Sequence, residues 1–307
     1  MTRISSAQIP AASLADIAKA QQQLVEAARQ SSAQTKADDL KGYGREAQTL
    51  VSAERLVART NGFMSTAREL DTRMQIQDVA LGRAADAVST LKEDLFQNVG
   101  LESGEGIRAR LDEAFSVLKD AMNSNLGGRY LFGGVLNDRP PVKAASLTDL
   151  ANNPLSDSLE QGADPQVMRV EEGRTVQAGV VADDVISDAM ASIKRLAEFD
   201  QGPNGPFSGD LTATQKQAIQ DELANLSSAF DKILSQQAEN GRLSKEVDSA
   251  NDRQKSQLDA LNGAIGGITN VDLAEVAVKL NQAQYAYQAS AGVFNVLRNM
   301  SLLDALK

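Results

Sequence analysis

Few residues in this sequence have the types and spacing that catalysis needs. The chain contains no Cys and no His, which excludes cysteine nucleophiles, serine–histidine triads and the usual zinc sites. The segment Ser89-Thr90-Leu91-Lys92 has the Ser-x-x-Lys spacing of some acyl enzymes. Because it lies within a series of helical heptads, we expect it to form solvated helix surface.

Two pairs of adjacent carboxylates are the other candidates for chemistry. Asp38-Asp39 and Asp183-Asp184 could act as metal ligands or acid–base groups. Adjacent residues point to different helix faces, however, and no third ligand lies near either pair in sequence. We expect each pair at a helix N-terminus or in a loop. Since no glycine-rich phosphate loop is present either, the sequence predicts no catalytic residue, no metal, no cofactor and therefore no enzyme.

Charge and composition limit the partners. The formal net charge is −10, whereas nucleic acid and anionic membrane call for basic patches, so neither is an expected partner. No stretch reaches the roughly 18–20 apolar residues of a membrane span. The segment MTRISSAQIPAAS at the start lacks the apolar region of a cleaved secretory signal, so we expect no such signal.

The prolines divide the chain into helical arms and a different middle. Six of the seven prolines lie between 140 and 206, and the other is Pro10. Because proline breaks helix interiors at a cost of about 3 kcal/mol, the segments 11–139 and 207–307 are free to be helical. Aromatic residues make up only 4% of the chain, which favours narrow helix–helix seams over one thick core.

Both arms have the apolar spacing of long helices. In the second arm, steps of four and three residues alternate over more than six heptads, and the positions are polar from Gln237 to Ser244. Polar seam residues weaken association but fix register. The predicted seam consists of Ile219, Leu223, Leu226, Phe230, Ile233, Gln237, Asn240, Ser244, Val247, Asn251, Gln254, Leu258, Leu261 and Ile265.

Glycines predict where these helices are interrupted. Three glycines within 262–267 mark an expected break, after which Asn270 or Asp272 is a plausible N-cap. In the first arm, breaks are expected at 42–44 and 100–106. The step of six residues from Met64 to Leu70 shifts the heptad phase, which predicts local rewinding or a kink.

The middle of the chain has a strand pattern. Val167-Met168-Arg169-Val170 and Thr175-Val176-Gln177 flank Glu171-Glu172-Gly173-Arg174, as in a β-hairpin with a glycine turn. The segment 133–185 contains four basic and nine acidic residues. It is therefore predicted to form a small, exposed, β-containing module inserted between the helical arms.

The predicted fold is mainly α, with long antiparallel helical rods or coiled coils from both chain ends and a small inserted β-containing outer domain. The helix within 11–37 and the tail helix are expected to pair, because neither seam is stable alone in water. The residues expected in this terminal-helix seam, which would also serve contacts between subunits, are Leu14, Ile17, Leu24, Leu273, Val276, Leu280, Tyr287, Phe294 and Leu297.

Several segments resemble bacterial flagellin-like proteins. Gly127-Gly128-Arg129-Tyr130-Leu131-Phe132-Gly133-Gly134 is similar to the turn that ends the first helical arm in hook–filament junction proteins (hook-associated protein type 3). The tail from Val271-Asp272-Leu273 to Leu302-Leu303-Asp304 resembles that family's C-terminal helix, and Met168 to Val176 its outer hairpin. Flagellin itself is the nearest competitor. Its usual signature after the first helix is Leu-Ser-Ser-Gly-x-Arg-Ile-Asn-Ser-Ala-x-Asp-Asp-Ala-Ala-Gly, of which the stretch 31–40 keeps only Asp38-Asp39 and some serines.

The resemblance implies a place in the bacterial flagellum, outside the cell and reached without a cleaved signal. A junction protein would form a ring of its own copies between hook-associated protein type 1 and flagellin. It would be delivered by an export chaperone and the type III export apparatus. The implied division is an inner domain (1–42 and 266–307), a helical arm domain (43–132 and 186–265) and an outer domain (133–185).

Two other functions stay open at this point. The chain could be flagellin, the filament subunit. More remotely, it could be a coiled-coil secreted protein of a type III secretion system, which would need neither the Gly-Arg-Tyr-Leu-Phe-Gly-Gly turn nor matched seams at both ends.

Overall fold

The computed structural model describes the backbone of residues 8–160 and 164–305 and the side chains of 12–160 and 164–296. Long helices dominate, and the β structure in these residues consists of two small antiparallel hairpins, which confirms the predicted mainly α fold. The elements are α1 (Gln8–Ala33), a 3-10 helix (Leu40–Glu46), α2 (Ala47–Gly100), α3 (Ile107–Met122), β1 (Asn125–Leu126), β2 (Arg129–Tyr130), α4 (Leu147–Asn152), α5 (Leu155–Ser158), β3 (Val167–Glu171), β4 (Arg174–Gln177), α6 (Ala182–Gln201), α7 (Ala213–Thr269) and α8 (Leu273–Ala305).

The chain divides into two compact units, and the boundaries fall inside helices. One unit, called here the arm, is Thr60–Gln257. The other, called the terminal unit, comprises the described residues up to Arg59 and from Leu258 onward. The predicted boundaries at 42/43 and 265/266 lie nearer to the chain ends than these, and the five-segment division remains a prediction.

In the arm, α2 and α7 pack antiparallel. Asn240 on α7 donates from its side-chain amide to the carbonyl of Met74 on α2, 2.9 Å away. One turn along, Gln237 donates to Asp78 at 3.2 Å, so the residue numbers on the two helices run in opposite directions. Asn240 is buried and lies within the predicted polar part of the seam, where it ties the two helices in register.

The buried face of α7 is wider than the predicted two-position seam. The shared positions at seven-residue spacing are buried: Ile219, Leu226, Ile233, Asn240, Val247 and Gln254. Between them, however, the buried residues are Glu222, Ala229, Leu243 and Ala250, each one position before a predicted seam residue. The predicted neighbours are only half-buried. A helix in a multi-helix core buries a broader stripe than one in a two-stranded coil.

The inserted segment 133–185 packs against the long helices of the arm. Its helices α4 and α5 contact α6, and it contributes Val142, Leu147, Leu150 and Leu159 to the main core. Lys194 of α6 donates to the carbonyls at the end of α4, including that of Ala151 at 2.9 Å. Local sequence shows the acidity of this segment but not the apolar contacts that its short helices make.

The predicted hairpin is confirmed as β3 and β4, joined at Gly173, whose φ is +72°. Val170 and Val176 face a second, smaller core beneath the hairpin. The α2 and α7 residues of this core are Ala67, Leu70, Met74, Leu243, Val247 and Ala250. Ion pairs from Arg253 to Glu171 and from Arg174 to Glu246, at 2.9 and 3.0 Å, also hold the hairpin to α7.

The predicted glycine breaks have different outcomes. The break at 42–44 is present, because Gly44 has a φ of +54° inside the 3-10 segment, and the turn at 100–106 separates α2 from α3. The break within 262–267 was wrong, since α7 continues through these glycines to Thr269. A glycine costs a helix interior only about 1 kcal/mol, which neighbouring turns can offset. Helix α2 runs without interruption across Met64 and Leu70, and the kink or rewinding there stays a prediction.

Candidate functional site

The terminal unit brings together the two helices that the sequence paired, α1 and α8. On α8, Val276 and Ala283 are buried. Leu280, Tyr287 and Phe294, at the intervening and following seam positions, are half-buried. These four-and-three steps place all five on one side of α8, and we call this the inner face of α8.

On α1, the packed face is shifted by one residue from the predicted seam. Ile17 and Leu24 are half-buried as predicted seam members, but their buried companions are Ser13, Ala20 and Ala27. The small side chains of Ser13, Ala20 and Ala27 allow the backbones of α1 and α8 to approach closely. The inner face of α1 is therefore Ser13, Ile17, Ala20, Leu24 and Ala27.

Three other residues were predicted in this seam: Leu14, Leu273 and Leu297. Leu14 and Leu273 are 52% and 49% exposed, so they lie off the packed inner faces. Leu14 is one position past Ser13, and Leu273 is in the first turn of α8, next to the loop. The side chain of Leu297 lies outside the described residues. Whether these residues contact another subunit stays a prediction.

The turn that follows α1 and the turn that precedes α8 are joined by their backbones. Thr35 and Asn270 form an antiparallel bridge. The amide of Lys36 donates to the carbonyl of Thr269 at 2.8 Å, and the amide of Val271 donates to that of Gln34 at 3.2 Å. Because these bonds fix the end of α1 against the start of α8, the two helices run antiparallel from a common joint.

Charged side chains strengthen the same joint. Arg29 forms an ion pair with Asp38 and another with Glu26, and it donates to the carbonyl of Lys36. The hydrogen bond from Arg29 lowers the pKa of Glu26 below its usual range. Asp39 accepts a hydrogen bond from the amide of Gly42 and caps the 3-10 helix, so the pair Asp38-Asp39 has the loop and helix-cap role expected of it.

The start of α8 is also capped as predicted. The Asp272 carboxylate accepts from the amides of Ala274 and Glu275, at 2.8 and 3.4 Å. Asn270, the alternative cap, instead takes part in the bridge to Thr35. The cap begins α8 immediately after the joint, which fixes the direction in which this helix leaves it.

The side of α8 opposite α1 is apolar as well. Val278, Tyr285, Val293 and Val296 are between 54% and 73% exposed. At about 3.6 residues per turn, Val278, Tyr285 and Val296 lie opposite Val276. This second apolar side is called here the outer face of α8, and it bears no charged residue along the line of these four positions.

The other candidates for chemistry have structural surroundings. Ser89 hydrogen-bonds Glu93, and the ammonium of Lys92 lies 5.2 Å from the ring centre of Phe230, so they form helix surface. Asp183 and Asp184 occupy the first turn of α6. Burial, with the charge of Asp184, raises the pKa of Asp183. No group of three or more carboxylates in the described residues could hold a metal ion, and no described helix could cross a membrane.

The Gly-Arg-Tyr-Leu-Phe-Gly-Gly turn is held by two buried polar side chains of α2 that were not predicted from the sequence. Arg73 and Gln77 of α2 both donate to the carbonyl of Leu131, at 3.0 and 2.8 Å. Gly179 is needed next to them, because a Cβ there would collide with Gln77. The outer face of α8 was also missed, although its exposed apolar residues recur at helical spacing.

Comparison with known proteins finds a family match for the C-terminal part of the chain and a similar fold among solved structures. Residues 223–306 match the family model of the bacterial flagellin C-terminal helical region. A flagellar hook-associated protein from Vibrio parahaemolyticus has the same fold, with a TM-score of 0.60 and 15% identity over 75% of this chain and 98% of that chain. FlgL from Bacillus cereus has a TM-score of 0.49 and 14% identity over 65% of this chain and 98% of that one. No curated protein matches the sequence significantly.

The family match at residues 223–306 confirms the flagellin-like resemblance that was predicted for the tail, and the Vibrio parahaemolyticus structure supports the predicted fold.

Proposed function

We propose that this flagellin-like structural protein is the junction adaptor between the flagellar hook and the flagellin filament, and that it assembles through α1 and α8. It lies outside the cell, in the flagellum. Its partners are other copies of itself, hook-associated protein type 1 on the hook side and flagellin on the filament side. An export chaperone and the type III export apparatus deliver it.

The observation that carries this proposal is that α8 is apolar on two opposite sides. One side, with Val276 and Ala283, is covered by α1. The other, with Val278 and Tyr285, is 54% and 73% exposed. An apolar stripe on a helix normally packs against a partner. A subunit that leaves half of such a helix uncovered is therefore suited to assembly.

The roles of the domains follow from the contrast between the covered and the uncovered side of α8. The inner domain, 1–42 and 266–307, supplies the assembling helices, and the helical arm segments 43–132 and 186–265 form the surrounding wall. The segment 133–185 lies outermost. Among the nine predicted seam residues, those that α1 and α8 bury against each other hold the two helices together. The exposed members, Leu14 and Leu273, contact neighbouring subunits.

Deleting 1–40 and 270–307 tests the proposal in cells that lack the native gene. The truncated chain keeps the arm core, so its far-ultraviolet circular dichroism should remain strongly helical. It should not restore filaments, whereas the full-length protein should. Normal filaments from the truncated chain would contradict assembly through the terminal helices.

Counting copies distinguishes the adaptor from flagellin. Gold-labelled antibodies against this protein should mark a single short zone where hook and filament meet. Labelling along the whole filament would assign the protein to flagellin instead. Labelling absent from flagella, with the protein free in the medium, would favour a secreted coiled-coil protein.

A further inference from the structure

Four asparagines of the sequence are followed directly by glycine: Asn61, Asn204, Asn240 and Asn262. An asparagine in this setting can lose its side-chain amide without an enzyme, because glycine has no Cβ to shield its backbone nitrogen. That nitrogen must reach the side-chain carbonyl carbon of the asparagine before the reaction can begin. Since the reacting pair of residues is the same at all four sites, the backbone around each pair decides how fast it reacts.

Three of the four pairs lie inside long helices. Asn61-Gly62 belongs to α2, and Asn240-Gly241 and Asn262-Gly263 belong to α7. In a helix interior, each backbone N–H donates to the carbonyl four residues earlier, so the glycine nitrogen is held in the helical ladder. Asn240 is buried, but Asn61 and Asn262 are exposed. Exposure alone therefore does not separate reactive from unreactive sites, and the helical backbone has to be considered.

The fourth pair, Asn204-Gly205, lies in an exposed turn after α6. The amide of Gly205 donates to the carbonyl of Gly202 at 3.1 Å, which is a β-turn hydrogen bond. Releasing the Gly205 nitrogen means opening this turn, whereas releasing a glycine nitrogen inside α2 or α7 means unfolding part of a long helix. Local opening is therefore much easier at Asn204 than at the other three sites.

We propose that Asn204 is a site of spontaneous deamidation, and that in the folded protein it reacts much faster than the three helical asparagines. The reaction consumes water and needs no other reactant. The site lies in the arm, and the proposal does not depend on the function proposed above.

The reaction has two steps, and neither changes an oxidation state. The backbone nitrogen of Gly205 gives its proton to solvent and attacks the side-chain carbonyl carbon of Asn204. The carbon–nitrogen bond of the side-chain amide breaks, ammonia leaves, and a succinimide ring remains. Water then adds to one of the two ring carbonyl carbons. Addition at the side-chain carbon gives aspartate, and addition at the main-chain carbon gives isoaspartate, in which the chain runs through the former side chain.

The isoaspartyl product disturbs a tightly packed part of the loop. It adds a methylene group to the backbone and converts the main-chain carbonyl of Asn204 into a free carboxylate. That carbonyl accepts a hydrogen bond from the buried Gln215 of α7 at 3.0 Å. The next residue, Gly205, lies so close to the carbonyl of Asp200 that a Cβ there would collide with it. A longer backbone does not fit here unless the loop moves.

Two backbone amides further along the loop would report this movement. The amide of Phe207 donates to the Asp200 carboxylate at 2.8 Å, and the amide of Leu211 donates to the carbonyl of Glu102 at 2.7 Å. The side chains of Phe207 and Leu211 are buried in the main core. Both amides exchange hydrogen with solvent when these bonds open, so we expect faster exchange at both in the isoaspartyl form.

Ageing the purified full-length protein at mildly alkaline pH tests the proposal. Mass spectrometry of a digest measures the conversion of each of the four asparagines. In the native protein, conversion at Asn204 should be faster than at each helical site by roughly tenfold or more. In concentrated urea, where the helices are lost, the four sites should approach a common rate. The Asn204→Gln chain is the control, because glutamine closes a larger and less favourable ring and should show no conversion at this position.

Two results of this experiment would overturn the proposal. The first is equal conversion of the four asparagines in the native protein. The second is a preference for Asn204 that persists unchanged in urea, because the selectivity would then come from neighbouring residues in the sequence and not from the fold.

Hydrogen exchange tests the effect on the loop separately. Aged protein, in which an isoaspartate-specific methyltransferase identifies the isoaspartyl form, is compared with Asn204→Asp, which has the new charge on an unaltered backbone. The amides of Phe207 and Leu211 should exchange faster in the aged protein, whereas Asn204→Asp should behave like the wild type. Equal exchange in the aged protein and in Asn204→Asp would contradict the predicted loop movement.

Discussion

The arm and the terminal unit are both built from long helices, but they bury their apolar residues to different extents. In the arm, α2 and α7 contribute leucines such as Leu81 and Leu226 that are fully buried in a core shared with α3, α4 and α6. In the terminal unit, the seam of α1 and α8 buries small residues such as Ala20 and Ala283, while Tyr285 and Val296 stay exposed.

This difference indicates that the two units have different roles. Fully burying a leucine contributes about 1.5–3 kcal/mol, so the many leucines of the arm allow it to fold within one subunit. A seam of alanines and half-buried residues contributes much less. The terminal unit keeps its larger apolar side chains for surfaces that become buried only in the assembly.

The largest effect on stability should come from truncating the arm core. Leu81→Ala removes a fully buried side chain and should lower the free energy of unfolding by about 2–5 kcal/mol. The matched change Leu280→Ala, in the half-buried seam of the terminal unit, should cost the monomer about 1 kcal/mol or less. Urea unfolding followed by circular dichroism measures both. Equal losses at the two sites would remove the contrast between the units.

An ion pair in the arm should produce the next largest effect. Arg195 of α6 donates to Glu222 of α7 at 2.7 Å. Burial raises the pKa of Glu222, but hydrogen bonds from Arg195 and Asn225 outweigh this and leave the pKa below its usual range. Glu222→Gln should therefore cost about 1.5–3 kcal/mol at neutral pH.

The pH dependence gives the sign of this contribution. A lowered folded-state pKa stabilises the protein above the unfolded pKa of glutamate, about 4.3. That contribution disappears as the pH falls through the folded-state pKa. The stability curves of the wild type and Glu222→Gln should therefore converge in acid. Parallel curves would contradict the assignment, and Asp231→Asn, at an exposed site, is the control.

The smallest effect concerns the glycines near the ends of the long helices. Gly263 lies inside α7 with open space around its Cα, so Gly263→Ala should stabilise the protein by about 1 kcal/mol. Gly44 has a φ of +54°, and Gly44→Ala should destabilise it by about 1–2 kcal/mol. Thermal unfolding distinguishes them. If Gly263→Ala destabilised the protein, that result would support the helix break that was predicted within 262–267.

Local patterns were sufficient to predict a large part of the fold. Heptad spacing identified α2, α7 and α8, the glycines at 42–44 and 100–106 identified two helix ends, and Asp272 was one of two predicted caps. Each of these features depends on residues within a few turns of each other. The pairing of α1 with α8 also followed, because two exposed seams at the chain ends have few other places to pack.

The candidate site was predictable only in part. The positions Val276, Leu280 and Ile17 were expected in the seam and lie at or near it. Leu14 and Leu273 are exposed, because a shift of one residue turns a helix by about 100°, and neighbouring apolar and small residues make two registers equally acceptable. The heptad pattern could not tell which face of α1 meets its own α8.

The sequence by itself determined that this chain is made of long helices, contains no Cys or His and has apolar ends. Those properties follow from composition and from periodicity along one helix. Tertiary structure alone decided that 133–185 packs on the arm, that Arg73 and Gln77 hold the turn at Leu131, and that α8 keeps one apolar face uncovered. The physical reason is that burial is shared among residues far apart in sequence, so only the packed structure shows which apolar face is left over.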